Sequence, residues 1–348
     1  VHRRTFVVAA SDWLGAAALG CRVRPGDAAS GPVGPTTRAI GPPRFVGSDP
    51  AFVYSRPCFS PGGDLLLFMR APATGDPVAA LNADSSPWGL WTVPVEGGDP
   101  APFFAQPGLA ATRPDWCPRT GRIAFTGIRD RQAELWLIDA DGKNPTPVPI
   151  GSPPRTRLYY PSWYPDGRSV AVTDYAARRV LRVDLASGDA TPLTDPAAVW
   201  AGMGAASPDS EAGNPLAFAG QLPGGLYHPS RNRIWIQGAD RAPRLLDGAP
   251  GRTPAWSPRG ERLAFGSDRR RPVPTFTLHR RTVSGAAGAI FVQRLGPDTL
   301  PLGQPPDAVT PFDHGASHPK WSPDGKRLAC MLHSLETGRR GIAVIDLG

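Results

Sequence analysis

Short apolar runs separated by turn residues dominate the chain, and no long stretch carries apolar residues at helical spacing. From Tyr160 onward, "PSWYP", "RSVAVTDY", "RVLRVDLA" and "ATPLTD" give four extended segments in just over forty residues. The stretch beginning at Arg113 repeats the arrangement with "PDWCP", "GRIAFTGI", "ELWLIDA" and "PTPVPIG". Alternating and β-branched runs of this length, bounded by Gly, Asp and Pro, predict antiparallel meanders.

These meanders are copies of one unit. "HPKWSPDGKRLACMLH" from His318 is echoed by "TPAWSPRGERLAFGSD" from Thr253, "YPSWYPDGRSVAVTDY" from Tyr160, "RPDWCPRTGRIAFTGI" from Arg113 and "RPCFSPGGDLLLFMRA" from Arg56. A degenerate sixth copy, "MGAASPDSEAGNPLAFAG", starts at Met203. A lone four-stranded meander has two apolar faces and cannot bury both. Stacking six of them around an axis buries each against its neighbours. The expected fold is therefore all-β: a six-bladed β-propeller of four-stranded antiparallel blades.

The recurrent aromatic residue (Phe59, Trp116, Trp163, Trp256 and Trp321, with Ala206 in the fourth copy) is expected to wedge between blades. The chain stops after the third strand of the last repeat. "TTRAIGPPRFVG", Thr36 to Gly47, is the spare strand that closes the ring by completing blade six. Blades one and five carry long insertions, the latter containing Arg269, Arg270, Arg271, Arg280 and Arg281.

Pro-x-Trp-Ser-Pro-Asp-Gly followed by an apolar strand resembles the WD-like repeat of the TolB family, over roughly residues 50–348. The resemblance implies a propeller that binds other proteins in the bacterial envelope. TolB itself carries an additional N-terminal α/β domain, for which this chain has no room.

Composition changes the picture in two places. Gly (40) and Pro (43) among 348 residues favour turns and short strands. The net charge of +8 suits acidic partners or anionic lipid. The basic residues form no single run and no aromatic–basic module, so nucleic acid is not an expected partner.

"VHRRTFVVAASDWLGAAALGC" places a basic start before a short apolar run ending in small residues, the order of an export signal. Its "RRTFVV" resembles a twin-arginine signal, and "ALGC" resembles a lipoprotein processing box that would acylate Cys21. Residues 1–21 are thus read as an export signal of lipoprotein type and 22–37 as a Pro/Gly-rich tether. Residues 38–348 are the propeller. The expectation is an exported, envelope-located monomer held to the membrane through Cys21. Cys58, Cys117 and Cys330 have no zinc-ligand spacing and are expected as buried thiols.

The sequence carries few motifs of known chemistry. No G-x-S-x-G elbow, H-E-x-x-H, P-loop or dinucleotide fingerprint occurs. "DADGKN", Asp139 to Asn144, reads as a hairpin turn rather than a calcium loop. His314 and His318, with Asp313, are read as loop residues, a metal set being the other reading. No catalytic residue, metal or cofactor is expected.

The residue preceding each anchor carries the positional signal: Arg56, Arg113, Tyr160, Met203, Thr253 and His318. Repeat equivalence places these six around one mouth of the central channel. Arg56, Arg113, Tyr160 and His318 are the candidate site, suited to an acidic peptide or a protein carboxylate. The expected function is a non-enzymatic, protein-binding envelope scaffold. The alternative is a metal-dependent propeller hydrolase or lyase acting on a lactone or glycan in the channel.

Overall fold

The computed structural model describes residues 36–348 apart from 74–87, 152–156, 210–212, 225–226, 229–230, 239–241, 269–275, 279–280, 284–287, 303, 312–313 and 335. Thr37–Gly348 forms one compact unit. The readings of residues 1–21, of Cys21 and of nearly all of the tether lie outside the described residues, as do Asp313, Arg269–Arg271 and Arg280.

The unit is a six-bladed propeller of four-stranded antiparallel sheets. Blade one contains Phe52–Phe59, Leu65–Pro72, Gly89–Pro94 and Ala101–Phe104. Blade two contains Ala110–Trp116, Ile123–Arg129, Gln132–Ile138 and Thr146–Pro147, and blade three Leu158–Trp163, Ser169–Asp174, Arg179–Asp184 and Ala190–Pro192. Blade four follows with Trp200–Ala206, Leu216–Gln221, Arg233–Gln237 and Arg244–Pro250. Blade five uses Arg252–Trp256, Arg262–Ser267, Ala289–Arg294 and Asp307–Ala308, with a hairpin, Phe276–Leu278 and Arg281–Val283, inserted between its second and third strands. Blade six uses His314–Trp321, Arg327–Ser334 and Arg340–Asp346.

The outer strand of blade six is Arg44–Gly47, which pairs antiparallel with Arg340–Asp346. The segment before it continues the clasp. Ala39 bridges Leu347, and the Ile40 N–H donates to the Asp346 carbonyl at 2.8 Å. Side chains then tie the seam to blade one. Arg44 donates to the Val95 carbonyl at 3.0 Å, and Arg327 reaches Glu96 at 2.8 Å. Ring closure thus removes the edge that a three-stranded blade six would expose.

First strands contact one another around the ring and so line the channel. The apolar clusters lie between blades. Leu66, Phe68 and Val93 of blade one pack on Ile342 and Val344 of blade six, and Val170 and Val172 of blade three pack on Leu135 and Leu137 of blade two. The recurrent indole is a wedge with a polar handle. Trp163 Nε1 donates to the Asp115 carbonyl at 3.0 Å, Trp256 Nε1 to Ala205 at 3.0 Å and Trp321 Nε1 to Ala255 at 3.1 Å, each acceptor in the preceding blade. A buried indole N–H needs such a partner, so one residue supplies both packing and register. Trp116 departs from the pattern. It is half-buried and donates to Gly121 in the turn of its own blade.

Ser-Pro-Asp-Gly is turn hardware. Ser322 Oγ donates to Asp324 and accepts the Arg327 N–H at 2.9 Å, while Gly325 takes φ 71°, a region glycine enters without steric cost. Asp139–Asn144 is likewise a turn, with Gly142 at φ 78°. Cys58, Cys117 and Cys330 are buried free thiols.

Candidate functional site at the channel mouth

Each first strand breaks its ladder at the anchor. The pairing register shifts between Ser55 and Cys58, Thr112 and Asp115, Tyr159 and Ser162, Gly202 and Ala205, Arg252 and Ala255, and Ser317 and Lys320. These are β-bulges, and in all six the residue before the anchor has a left-handed backbone. The φ values are 53° at Arg56, 54° at Arg113, 58° at Tyr160, 54° at Met203, 51° at Thr253 and 56° at His318. A non-glycine residue there costs about 1–2 kcal/mol, and Thr253 is β-branched as well.

Proline suits the next position because the bulge asks for no ladder N–H there. Pro57, Pro114, Pro161, Pro254 and Pro319 occupy it, and Gly204 does so in blade four. The N–H groups that bulging frees can be taken up by the preceding blade. Met203 donates to Thr173 Oγ1 at 2.9 Å and His318 to Thr253 Oγ1 at 3.3 Å. Strain repeated six times on one ring is an arrangement that aims side chains.

It aims them together. All six pre-anchor residues line one cavity, partly open to solvent, and each is half-buried. His318 is therefore in a strand, His314–Trp321, at its bulge, and not in the loop that the sequence suggested. The strand runs further toward the mouth than the Pro anchor implies.

Within the cavity Arg56 Nη2 donates to the Tyr160 hydroxyl at 2.9 Å, with the guanidinium carbon 5.1 Å from the ring centroid. The Arg113 guanidinium carbon lies 4.4 Å from the Tyr159 centroid and 5.2 Å from that of Tyr160. Hydroxyls one residue earlier brace the set. Arg56 Nη1 donates to Ser55 Oγ at 3.3 Å, Arg113 Nη1 to Thr112 Oγ1 at 3.0 Å, and His318 Nδ1 lies 3.0 Å from Ser317 Oγ.

Among the described residues no Asp or Glu lies within ion-pair distance of Arg56 or Arg113, and the Nε of each is buried without an acceptor. The consequences reach every titratable neighbour. Burial first, then the Arg56 charge, lowers the pKa of Arg113. Burial raises Tyr160, but the two guanidinium charges and their hydrogen bonds overcome it and bring the phenol down to about 8. Burial, with Arg56, Arg113 and Arg252, drives His318 well below the usual imidazole range, so it is neutral at physiological pH.

One residue beyond the anchors lies a pair that repeat position alone does not suggest. Lys320 Nζ is 2.6 Å from Asp115 Oδ1, joining blade six to blade two, while Asp115 Oδ2 accepts the Trp163 N–H at 2.9 Å. The two blades are not neighbours, so the pair crosses the channel beneath the mouth. Burial opposes the Lys320 charge, but Asp115 more than offsets it and raises its pKa. No group of three His, Cys, Asp or Glu side chains that could hold a metal occurs among the described residues.

The pre-anchor residues lie about midway along the first strands. The connections between second and third strands of blades one, four and five leave from Pro72, Gln221 and Ser267, at the end where first strands begin. Those of blades one and five are the longest connections between strands, and long loops on a rigid scaffold are where binding surfaces are usually built. The chain enters at the opposite end, beside the Ser322–Arg327 turn, where Leu347 donates to Lys326 and Gly348 to Arg38.

No protein-family profile matches the sequence, and no curated protein does. Solved structures do. A TolB candidate from Agrobacterium tumefaciens is 18% identical with a TM-score of 0.55, over 87% of this chain and 93% of that one. TolB from Acinetobacter baumannii is 14% identical with a TM-score of 0.54, and the match spans 87% of this chain but only 65% of the Acinetobacter chain. An oligogalacturonate lyase from Vibrio parahaemolyticus is 13% identical with a TM-score of 0.50, over 87% and 92% of the two chains. The fold is that of a TolB-like six-bladed propeller. Such propellers serve both enzymes and other proteins, so function must be argued from the site.

Proposed function

We propose that this protein is a non-enzymatic binding scaffold of the bacterial cell envelope whose channel mouth captures a protein partner through carboxylates. One observation carries the reading: Arg56 and Arg113 converge on Tyr160 in a half-buried cavity with no acidic side chain among the described residues to balance them. Uncompensated charge held away from bulk water costs several kcal/mol, and an incoming carboxylate recovers it through charge-assisted, bidentate hydrogen bonds. The strained bulges that orient the two side chains fit a surface built for binding.

The sequence before the ring fits the same role. Residues 1–21 act as an export signal, Cys21 takes the lipid, and 22–37 is the tether to a monomeric propeller of residues 38–348. Intact-mass measurement of envelope protein should find a lipidated chain starting at Cys21, and Cys21→Ser should lose the lipid. An unprocessed cytoplasmic chain refutes the placement.

The binding reading is tested with a fluorescent oligoglutamate peptide. Wild type should bind it with an affinity that falls as salt rises, and the double variant Arg56→Ala, Arg113→Ala should bind at least about tenfold more weakly while melting no lower than wild type. Equal binding by the double variant excludes the mouth as the carboxylate site.

A further inference from the structure

We infer that the mouth takes two carboxylates at once, and so receives the free C-terminal end of a chain whose last residue is Asp or Glu. This rests on the carboxylate reading above and narrows it.

Charge comes first. Of the cations near the mouth, Lys320 is matched by Asp115 at 2.6 Å and Arg252 lies 3.9 Å from Asp268. Arg56 and Arg113 are the two left without a counter-charge among the described residues. A single carboxylate balances one and leaves the other as costly as before. Two balance both.

Donor capacity agrees. A guanidinium carries five N–H donors. Arg56 spends donors on Ser55 and Tyr160 and Arg113 on Thr112, while each Nε finds no acceptor. The two Nε groups are buried, so the donors left for a ligand are the remaining Nη hydrogens of each fork.

The shape of the channel selects a chain end. Immediately beyond the mouth the Lys320–Asp115 pair crosses from blade six to blade two. An extended segment running down the side of the channel in front of blade one would have to displace this strap, whereas a terminus can stop against it. A C-terminal Asp or Glu is the one ordinary peptide unit that presents two carboxylates within a single residue. Met203 and the Pro rings that complete the wall accommodate the carbon between them.

Four labelled pentapeptides that differ only at the last position test this: Gly-Ser-Gly-Ser ending in Glu acid, Glu amide, Gln acid or Gln amide. Fluorescence anisotropy should rank the Glu acid at least about tenfold above either monocarboxylate, with the Gln amide weakest. Arg56→Gln, checked for an unaltered melting curve, should reduce the Glu acid to the level of the monocarboxylates. Monocarboxylates binding as tightly as the Glu acid overturn the two-carboxylate inference and leave the carboxylate reading standing. A Gln amide that binds as well as the others, or failure of all four to bind, overturns both. An internal Glu-Glu peptide with an amidated end that binds as well as the Glu acid overturns the chain-end part alone.

Discussion

Lys320 of blade six and Asp115 of blade two form a 2.6 Å ion pair that reaches past blade one through the channel. Asp115 also caps the Trp163 N–H, and its own carbonyl receives the Trp163 indole. Three blades thus meet at one carboxylate, directly under the arginines of the mouth.

Asp115→Ala should therefore destabilise the ring more than Lys320→Met. The first leaves a cation and a backbone N–H unanswered and should cost about 2–4 kcal/mol; the second leaves a largely buried carboxylate that still accepts the Trp163 N–H and should cost about half as much. Chemical denaturation of the two variants and of the double variant measures both costs and their coupling. Equal and additive losses would show that the pair is incidental.

The clasp can be tested by deletion. Removing residues 36–47 strips blade six of its outer strand and takes away the Arg44 contacts to Val95 and Glu96. A loss of roughly 3 kcal/mol or more is expected from the exposed edge and apolar surface. An unchanged unfolding midpoint would mean that the three remaining strands suffice.

Most of this architecture is legible in the sequence because the repeat is written in turn and wedge residues, which act locally. Six copies fix six blades, and the position before each Pro fixes the ring of residues at the mouth. Other features are not local. Nothing in the segments around Lys320 and Asp115 says that they meet, since the meeting depends on ring geometry across a blade that supplies neither partner. The same equivalence, applied to the residue after each Pro, would at least have put both on one level of the channel. The left-handed backbone at Arg56, Thr253 and His318 was also hidden, because residues before proline ordinarily favour extended conformations. His318 looked like loop because its His-Pro flank lacks the apolar alternation of a strand; neighbouring blades hold that strand from both sides.

Acid should weaken the fold through His318. Its folded pKa is depressed below the unfolded value of about 6.5 by burial and by Arg56, Arg113 and Arg252. Below about pH 6.5 the unfolded chain therefore binds a proton that the folded ring resists, and stability falls until the folded pKa is passed. His318→Gln should flatten this part of the stability–pH curve, measured by denaturation between about pH 7 and 5. An identical slope in wild type and variant would show that His318 is not the group responsible. A carboxylate ligand at the mouth should reduce the slope by offsetting the arginines.

Tyr160 should reveal the same field from the other direction. With its phenol at about 8, near-ultraviolet absorbance should show one tyrosine ionising well ahead of the ordinary range near 10. Tyr160→Phe should abolish that early step, and Arg56→Ala should move it upward. Persistence of the step in Tyr160→Phe would assign it elsewhere.

The central claim is that Arg56 and Arg113 hold a partner's carboxylates at the mouth. A crystal structure of the propeller with a Glu-terminated peptide tests it most directly. The account predicts peptide carboxylate density within hydrogen-bonding distance of both guanidinium groups, above an intact Lys320–Asp115 pair. Ordered peptide elsewhere on the ring, with the mouth holding only water, would contradict it.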